Sequence, residues 1–405
     1  MREKLKICVI GMGYVGLPLA NLLSKKFKVS GYDNDITKIR ELKCGIDRTG
    51  EILKINNKLS FFYNEKLLKY FNTYIICLPT PINKNKKPDI RILKNIFATL
   101  KKYVSKDDTI ILESTVYPGL TKSLCKKYLK TIINIGYSPE RVNPGDKKNT
   151  ISKITKVISA ENTRTLSIMK KIYGSINNNN IFIAKNIMTA EAAKIIENTQ
   201  RDLNIALINE LTILFTKMGI SIYDVLEAAK TKWNFLNFTP GLVGGHCIGV
   251  DPYYLSYLAK TKKINTKIII AGRNSNEKMV NFFYKKILSN IKKYKKPKIL
   301  FIGVTFKPNV KDIRNSKYLE LFLKLKKKYK LSLFDPYFDS KHNLNKLFKL
   351  KPFDVIVVSF LHKILKKPLN HGIDKLLTNN ASIIDLSKGL KLNTKIKNKY
   401  KYISL

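Results

Sequence analysis

The chain has 405 residues, 44% of them hydrophobic and 10% aromatic, enough for two or three domains with cores of their own. No run of about eighteen uncharged apolar residues occurs, which excludes a membrane-spanning helix. Lysine and arginine number 76 against 29 acidic residues, a net charge of +47, but the lysines are scattered through every segment beside abundant asparagine and isoleucine.

That scatter reads as compositional drift. No basic helix with interleaved aromatics and no RNP-like stretch is present, so specific nucleic-acid binding is not expected, only weak salt-dependent attraction. The positive field does favour an anionic substrate.

Leu5 to Ile10 (LKICVI) is a continuous apolar run, the pattern of a strand in a parallel sheet covered on both faces. It enters Gly11-Met12-Gly13-Tyr14-Val15-Gly16, and LPLANLLSKK continues as a helix, so the opening reads as strand, turn and helix and not as a signal peptide. A GxGxxG sequence is a weak signal by itself. Between a strand and a helix it has a mechanism: the first glycine makes the tight turn, the second admits a pyrophosphate and the third packs helix on strand. A second strand, Lys28 to Tyr32, ends at Asp33, about 20 residues on, where a carboxylate accepts the ribose hydroxyls of NAD and repels the 2′-phosphate of NADP. Lys38 softens that preference slightly, and NAD is the expected cofactor.

Tyr74 to Leu78 and Thr109 to Leu112 are further buried strands, closed by Pro79-Thr80-Pro81 and Glu113-Ser114-Thr115. Strand carboxyl ends line the ligand crevice of a doubly wound sheet, which places Pro79, Thr80 and Thr115 against the cofactor. Ile135 to Tyr137 leads into Ser138-Pro139-Glu140-Arg141-Val142-Asn143-Pro144-Gly145, a polar, proline-rich loop that on spacing alone reads equally well as an exposed turn.

From Thr189 to Met218 the pattern becomes a long amphipathic helix, ended by Gly219. Lys194, Asn198 and Arg201 fall at i, i+4 and i+7 and share one face, where two cations and an amide can grip an anion or a sugar. Ile195, Ile196, Leu203 and Ile205 flank that stripe, so the helix is expected to be buried between domains or protomers. At roughly 45 Å it is longer than one small domain requires, and a homodimer packed through it is expected. Ile222 to Ala229 and Thr266 to Leu288 also read as helices.

Between those two lies Pro240 to Pro252, PGLVGGHCIGVDP, which sets Cys247 in a glycine-framed loop with His246 beside it and Asp251 four residues on. Gly244 and Gly245 carry no Cβ and let the backbone approach a bulky ligand. The five cysteines, Cys8, Cys44, Cys77, Cys125 and Cys247, are odd in number and lack CxxC spacing. This argues against disulfides, a zinc site or any other metal, and fits a reducing cytoplasm. Most free cysteines are buried hydrophobes, so spacing alone does not make Cys247 a nucleophile; its loop is what raises the case.

At Lys296-Pro297 the chain restarts with the strand KILFIGVTF, followed by Lys307-Pro308-Asn309 and Asp312-Ile313-Arg314-Asn315. LSLFDPY, DVIVVSF and ASIIDL are further strands alternating with helices, without a glycine-rich fingerprint. The fold class is therefore α/β: two Rossmann-like doubly wound domains joined by a central long-helix region, divided as 1–188, 189–295 and 296–405.

In combination, GMGYVGLPLA, PTPINKNKKPD, ESTVYPG, YSPERVNPGDK, ENTQRDLNIALINEL, GLVGGHCIGVDPYYL and FKPNVKDIRN resemble the UDP-glucose/GDP-mannose dehydrogenase family, in the family's order and over essentially the whole chain. GGHCIGVDP is similar to the branch acting on UDP-N-acetylhexosamines, whereas members acting on UDP-glucose usually read GGSC. The resemblance implies a cytoplasmic, NAD-dependent nucleotide-sugar 6-dehydrogenase for surface polysaccharide biosynthesis, converting a primary alcohol to a carboxylate with two NAD. UDP-N-acetylglucosamine is the first choice of substrate, and UDP-glucose or GDP-mannose the alternative. A nucleic-acid-binding protein on an NAD fold is the rival from another class, motivated by charge alone. The three segments would bind NAD, carry the dimer contact and catalysis, and bind the UDP-sugar.

By the same resemblance, Cys247 traps the aldehyde as a thiohemiacetal and then a thioester. Lys194 and Asn198 steady the developing oxyanion. Asp251 organises the water and Lys194, and Glu140 with Thr115 serves hydrolysis. Arg141, Val142, Arg201 and Gly244 correspond to substrate-binding positions, joined by Lys194, Asn198 and, from the last domain, Phe306 and Lys307. Arg314 would contact the NAD phosphate, alongside the cofactor contacts at Gly11, Gly13, Tyr14, Val15, Gly16, Asp33, Lys38, Pro79, Thr80 and Thr115.

Overall fold

The computed structural model describes residues 4–129, 134–143, 145, 146, 148–339 and 341–405, so that Pro144 of the expected polar loop lies outside the described residues. The chain divides into two compact units, Met1–Glu197 with Tyr253–Asn265, and Asn198–Pro252 with Thr266–Leu405.

The first unit contains β1 (Lys6–Ile10), β2 (Lys28–Tyr32), β3 (Ser60–Phe62), β4 (Thr73–Ile76), β5 (Thr109–Leu112), β6 (Ile135–Tyr137), β7 (Lys156–Ala160) and β8 (Ile181–Ile183). They form one eight-stranded sheet in the order β3-β2-β1-β4-β5-β6-β7-β8. Neighbours are parallel except β6 and β7, where Gly136 faces Ala160 and Tyr137 faces Ser159 in antiparallel register. The apolar run of β1 has its reason here. Ile7 and Val9 pack with Leu17, Ala20 and Leu23 on one face, Cys8 and Ile10 with Leu93 and Phe97 on the other. Each such fully buried Ile or Leu contributes about 1.5–3 kcal/mol.

Helices α1 (Gly16–Leu23), α2 (Ile36–Lys43), α3 (Arg91–Leu100), α4 (Leu120–Leu129) and α5 (Thr163–Asn177) connect these strands. Asp35 caps α2 by accepting from Lys38 N, Asn162 caps α5 by accepting from Thr165 N, and Asn178 ends α5 in the left-handed region at φ +56°. The expected strand to Leu78 stops at Ile76. Its apolar run goes on because Cys77 is still buried and Leu78 packs against the core, while Leu78 N turns to Ser114 Oγ at 2.9 Å.

Helix α6 (Ile187–Lys217) is 31 residues long and carries the expected Lys194, Asn198, Arg201 stripe; it is followed by α7 (Ile222–Ala229), α8 (Asp251–Thr261) and α9 (Lys267–Ile291). In the second unit α9 packs on α6 closely at Gly272, where a Cβ would come 2.4 Å from Leu203 Cδ2. The buried Arg273 guanidinium meets Asp202 Oδ1 at 2.5 Å, and Asn276 Nδ2 donates to the same oxygen at 2.7 Å.

The sheet of the second unit is parallel, built from β9 (Ile299–Ile302), β10 (Leu331–Phe334), β11 (Phe353–Val358), β12 (Leu377–Asp385) and β13 (Lys401–Ser404) in the order β10-β9-β11-β12-β13. Ile299 and Phe301 face one core cluster and Leu300 and Ile302 the other. The fold is α/β with two Rossmann-like sheets, as the strand and helix pattern predicts. Among the described residues no helix is long and apolar enough to cross a membrane.

Candidate active site

In the first unit β1 passes into α1 through the glycine turn. Gly11 has φ +96°, a conformation that L side chains rarely adopt, and its N–H donates to Tyr32 O at 2.8 Å. A Cβ on Gly16 would stand 1.9 Å from Gly11 O, so only glycine lets α1 lie this close to β1. A Cβ on Gly13 would meet nothing within 4 Å: the space over the first turn of α1 is open. The residue before α1, Val15, provides no side-chain cap. A helix start without a cap and with open space before it suits a phosphate. Tyr14 and Val15 are half-buried at this turn.

Asp33 follows β2 and is 7% exposed. Its Oδ2 accepts from Met12 N at 2.9 Å and Lys38 Nζ at 2.7 Å, and its Oδ1 accepts from Asp35 N at 3.0 Å. Thr80 Oγ1 donates to Thr115 O at 2.8 Å, bringing together two expected cofactor residues from the ends of β4 and β5; Pro79 beside them is exposed. Tyr254 OH anchors this loop by donating to Thr80 O at 2.8 Å. An open glycine turn at a helix start, with a carboxylate at the end of the second strand, fits NAD.

A buried charge cluster lies at the ends of β5 and β6. Glu140 Oε1 accepts from the N–H groups of Arg141 and Val142 at 2.6 and 2.7 Å, and its Oε2 meets Lys156 Nζ at 3.2 Å. Lys156 Nζ also meets Glu113 Oε2 at 3.0 Å, and Tyr173 OH donates to Glu113 Oε1 at 2.6 Å. Burial pushes the Glu140 carboxyl up, but Lys156 and the two N–H donors outweigh it and hold the group below its ordinary value. For Glu113 burial wins over Lys156, and the carboxyl lies above its ordinary value. Arg141 itself is engaged: Nη2 meets Glu197 Oε1 at 2.8 Å and Nη1 donates to Thr155 O at 3.1 Å. Lys194 is buried on α6.

In the second unit Cys247 is exposed in the turn that precedes α8, its carbonyl accepting from Val250 N and Asp251 N at 3.0 and 2.9 Å. Asp251 opens α8, and its Oδ2 accepts from Asn198 Nδ2 at 2.6 Å, joining two expected catalytic residues 53 positions apart. Arg201 is exposed one turn along α6. The glycines before Cys247 do something the sequence reading did not include. A Cβ on Gly244 would stand 2.4 Å from Asn315 O, and one on Gly245, at φ +83°, 2.7 Å from the Phe306 ring. The close approach they permit is made by the chain itself, and Asn315 Nδ2 donates to Gly245 O at 3.3 Å.

Phe306 N donates to Asp312 O at 2.9 Å, and Lys307 Nζ lies 5.6 Å from the Phe306 ring centre. Arg314 grips Asp312 through Nε and Nη2 at 3.0 and 2.7 Å, and His246 Nδ1 lies 3.5 Å from Asp312 Oδ2. Burial, with Arg314, pushes the His246 imidazole below its ordinary value despite Asp312. Sequence reasoning did not single out Lys156, Tyr173 or Tyr254. A lysine opening the short run KVISA carries no signal in a chain with 76 basic residues.

The chain also matches known proteins over most of its length. Residues 5–177 match the NAD binding domain of the UDP-glucose/GDP-mannose dehydrogenase family, 188–278 its central domain and 300–391 its UDP binding domain. The chain is 41% identical to Protein CapL of Staphylococcus aureus over 88% of its length and 90% of that protein. It is 40% identical to the UDP-N-acetyl-D-glucosamine 6-dehydrogenase of Pseudomonas aeruginosa over 92% and 94%. A solved UDP-D-ManNAc dehydrogenase from Pyrococcus horikoshii superposes with a TM-score of 0.86 at 28% identity, covering 98% of both chains. The glycine turn with its aspartate, the cysteine turn and these matches lead to one conclusion: the chain belongs to the UDP-glucose/GDP-mannose dehydrogenase family and is an NAD-dependent nucleotide-sugar dehydrogenase.

Proposed function

We propose that the protein oxidises UDP-N-acetylglucosamine at C6 to the uronate, using two NAD per turnover, for surface polysaccharide synthesis in the cytoplasm. The observation that carries the chemistry is the turn at Cys247: an exposed thiol four residues before an aspartate whose carboxylate holds the Asn198 amide at 2.6 Å. The choice of sugar is supported by the 40% identity with the P. aeruginosa enzyme, against 34% with the UDP-N-acetyl-D-mannosamine dehydrogenase of Methanocaldococcus jannaschii.

NAD, held at the glycine turn and Asp33, supplies the hydride acceptor for both oxidations. The remaining work falls to side chains. The Cys247 thiolate adds to the C6 aldehyde; the carbonyl oxygen becomes an oxyanion, takes up a proton, and the thiohemiacetal keeps the reactive carbon bound. Loss of the second hydride and the hydroxyl proton leaves a thioester. Water adds to its carbonyl, the C–S bond breaks, and acid and thiol part. Lys194 and Asn198 steady the oxyanions, each such donor contributing about 10²–10³ in rate. Asp251 fixes Asn198 and organises the water and Lys194, while Glu140 and Thr115 serve hydrolysis. Arg141, Val142, Arg201, Gly244, Phe306 and Lys307 hold the nucleotide sugar, and Arg314 the cofactor phosphate. We assign NAD binding to 1–188, catalysis and a homodimer contact to 189–295, and UDP-sugar binding to 296–405. The dimer is motivated by Ile196, Leu207, Leu214 and Met218 of α6 and its end, 60%, 57%, 50% and 59% exposed.

NADH production with UDP-N-acetylglucosamine, UDP-N-acetylmannosamine, UDP-glucose and GDP-mannose tests the reading. Two NADH per UDP-N-acetylglucosamine are expected; faster turnover of any other sugar overturns the substrate. Cys247→Ser is expected to release no uronate, because a serine alkoxide is far scarcer than a thiolate; full conversion by that variant removes Cys247 from the mechanism. A mass near 46.5 kDa by light scattering, with full activity, rules out the dimer.

A further inference from the structure

Lys156 is 2% exposed, the first residue of a strand, and surrounded by charge. Because β7 runs antiparallel to β6, its first residue lands at the carboxyl edge of the parallel strands, where β5 and β6 deliver Glu113 and Glu140. The ammonium sits 3.0 Å from one carboxylate and 3.2 Å from the other, and 5.1 Å from the centre of the Tyr173 ring. Glu113, Glu140 and Tyr173 are 2%, 8% and 0% exposed. Burying such a cluster is costly, and apolar side chains of equal volume would pack as well or better. Stability alone gives no reason for it.

We propose that Lys156 is a positioning residue that holds the Glu140 carboxylate in place and ionised for thioester hydrolysis, with Glu113 and Tyr173 holding the lysine from its far side. The inference rests on the role assigned to Glu140 above. Three donors fix Glu140: Arg141 N and Val142 N on Oε1, Lys156 Nζ on Oε2. Glu113 is held by Tyr173 OH on one oxygen and the ammonium on the other. The other titratable groups facing the cluster are Cys77 after β4, whose thiol burial and Glu113 push well up, and Arg141 with its partner Glu197. Burial would discharge Lys156, but Glu113 and Glu140 hold it charged well above its ordinary range. The two carboxylates thereby diverge, Glu140 kept ionised and Glu113 the readier to hold a proton.

The test is kcat and KM against pH for the full-length protein. Lys156→Met is expected to lower kcat by about tenfold or more, a part of the 10²–10⁴ that acid–base groups supply, with KM for sugar and NAD within about threefold. Glu140 then loses its cation, so the acidic limb of the kcat profile moves to higher pH; Lys156→Arg restores it. Glu113→Gln leaves Lys156 to Glu140 alone, and the acidic limb is expected to stay unmoved or move lower. Should Lys156→Met fail to fold, Glu113→Gln still decides, because a limb that rises in it overturns the proposal. An unmoved limb in folded Lys156→Met overturns it as well. Glu140→Gln separates the two ideas: if it abolishes uronate release while the Lys156→Met limb stays put, only the positioning role fails; if it keeps full activity, the role of Glu140 fails and the proposal with it.

Discussion

The two Rossmann-like sheets begin alike and end differently at the same place. In each, a glycine with positive φ follows the first strand, Gly11 at +96° and Gly303 at +89°, and donates to the last carbonyl of the second strand, Tyr32 or Phe334. In each an aspartate follows that second strand and accepts from the loop: Asp33 from Met12 N, Asp335 from Val304 N and Thr305 N at 2.7 and 3.1 Å. What fills the remaining lone pairs differs. Lys38, 29% exposed on its side chain, covers Asp33 from the surface. Asp335 is 0% exposed; its Oδ1 takes His362 Nε2 at 2.9 Å together with Tyr337 N and Phe338 N, and the Tyr337 ring stacks on the imidazole with centres 4.4 Å apart. Asn309 N donates to His362 Nδ1, so Nε2 carries the proton toward Asp335. The same half-fold leaves its acid beside a part-exposed cation in one unit and makes it an internal bracket in the other. For the NAD site proposed above, a part-exposed cation is one that ribose can displace; a buried imidazole is not.

Four substitutions break or sharpen this contrast, beginning with the strongest. Asp335→Ala strips the acceptor from four backbone N–H groups and a buried imidazole, and should cost about 3–5 kcal/mol in urea unfolding, with NAD affinity of the folded protein unchanged. Burial raises the Asp335 carboxyl, but His362 and the backbone donors bring it below the usual aspartate range. Its stabilisation is therefore complete above that range and lost as the pH falls through the depressed value, and Asp335→Asn should flatten this part of the acid-unfolding curve. Asp33→Asn should act the other way round: NAD affinity falls by about 1.5–3 kcal/mol, roughly 10- to 150-fold by calorimetry, with a smaller loss of stability. If Asp33→Asn proves the more destabilising of the two, the contrast collapses. The smallest effect belongs to Lys38→Met, which removes a part-exposed pair worth about 1 kcal/mol and should sharpen the preference for NAD over NADP by a few-fold at most.

The glycine turn and Asp33 were legible because the NAD site proposed there is local: strand, turn, helix and acid follow one another in about 30 residues. The turn around Cys247 stood out for the same reason, through its glycine frame within a dozen residues. The Asn198–Asp251 bond did not, since only the fold joins positions 53 apart. Asp335 lay unmarked within the expected strand LSLFDPY, with no glycine fingerprint before it, and its equivalence to Asp33 emerges from hydrogen bonds alone. Strands β7 and β8 escaped notice for a different reason: one opens with a charge, and β8 has three residues, two of them exposed. Gly244 and Gly245 were noticed, but the neighbours they admit, Asn315 and Phe306, come from a segment roughly 60–70 residues on.

The reversed pairing of β7 on β6 also makes a seam across the eight-stranded sheet. On one side lie six strands in parallel; on the other, β7, α5 and β8 form a module that brings its own lysine and tyrosine. Until that module docks, Glu113 and Glu140 have no counter-charge, and until they are in place Lys156 has none either. Docking is thus an all-or-none joining of complementary charges, and the seam is expected to be where the first unit opens under native conditions. Amide exchange should find β7 and β8 opening together, ahead of β1, β4 and β5. Uniform protection across all eight strands would show instead that the sheet folds as one cooperative block.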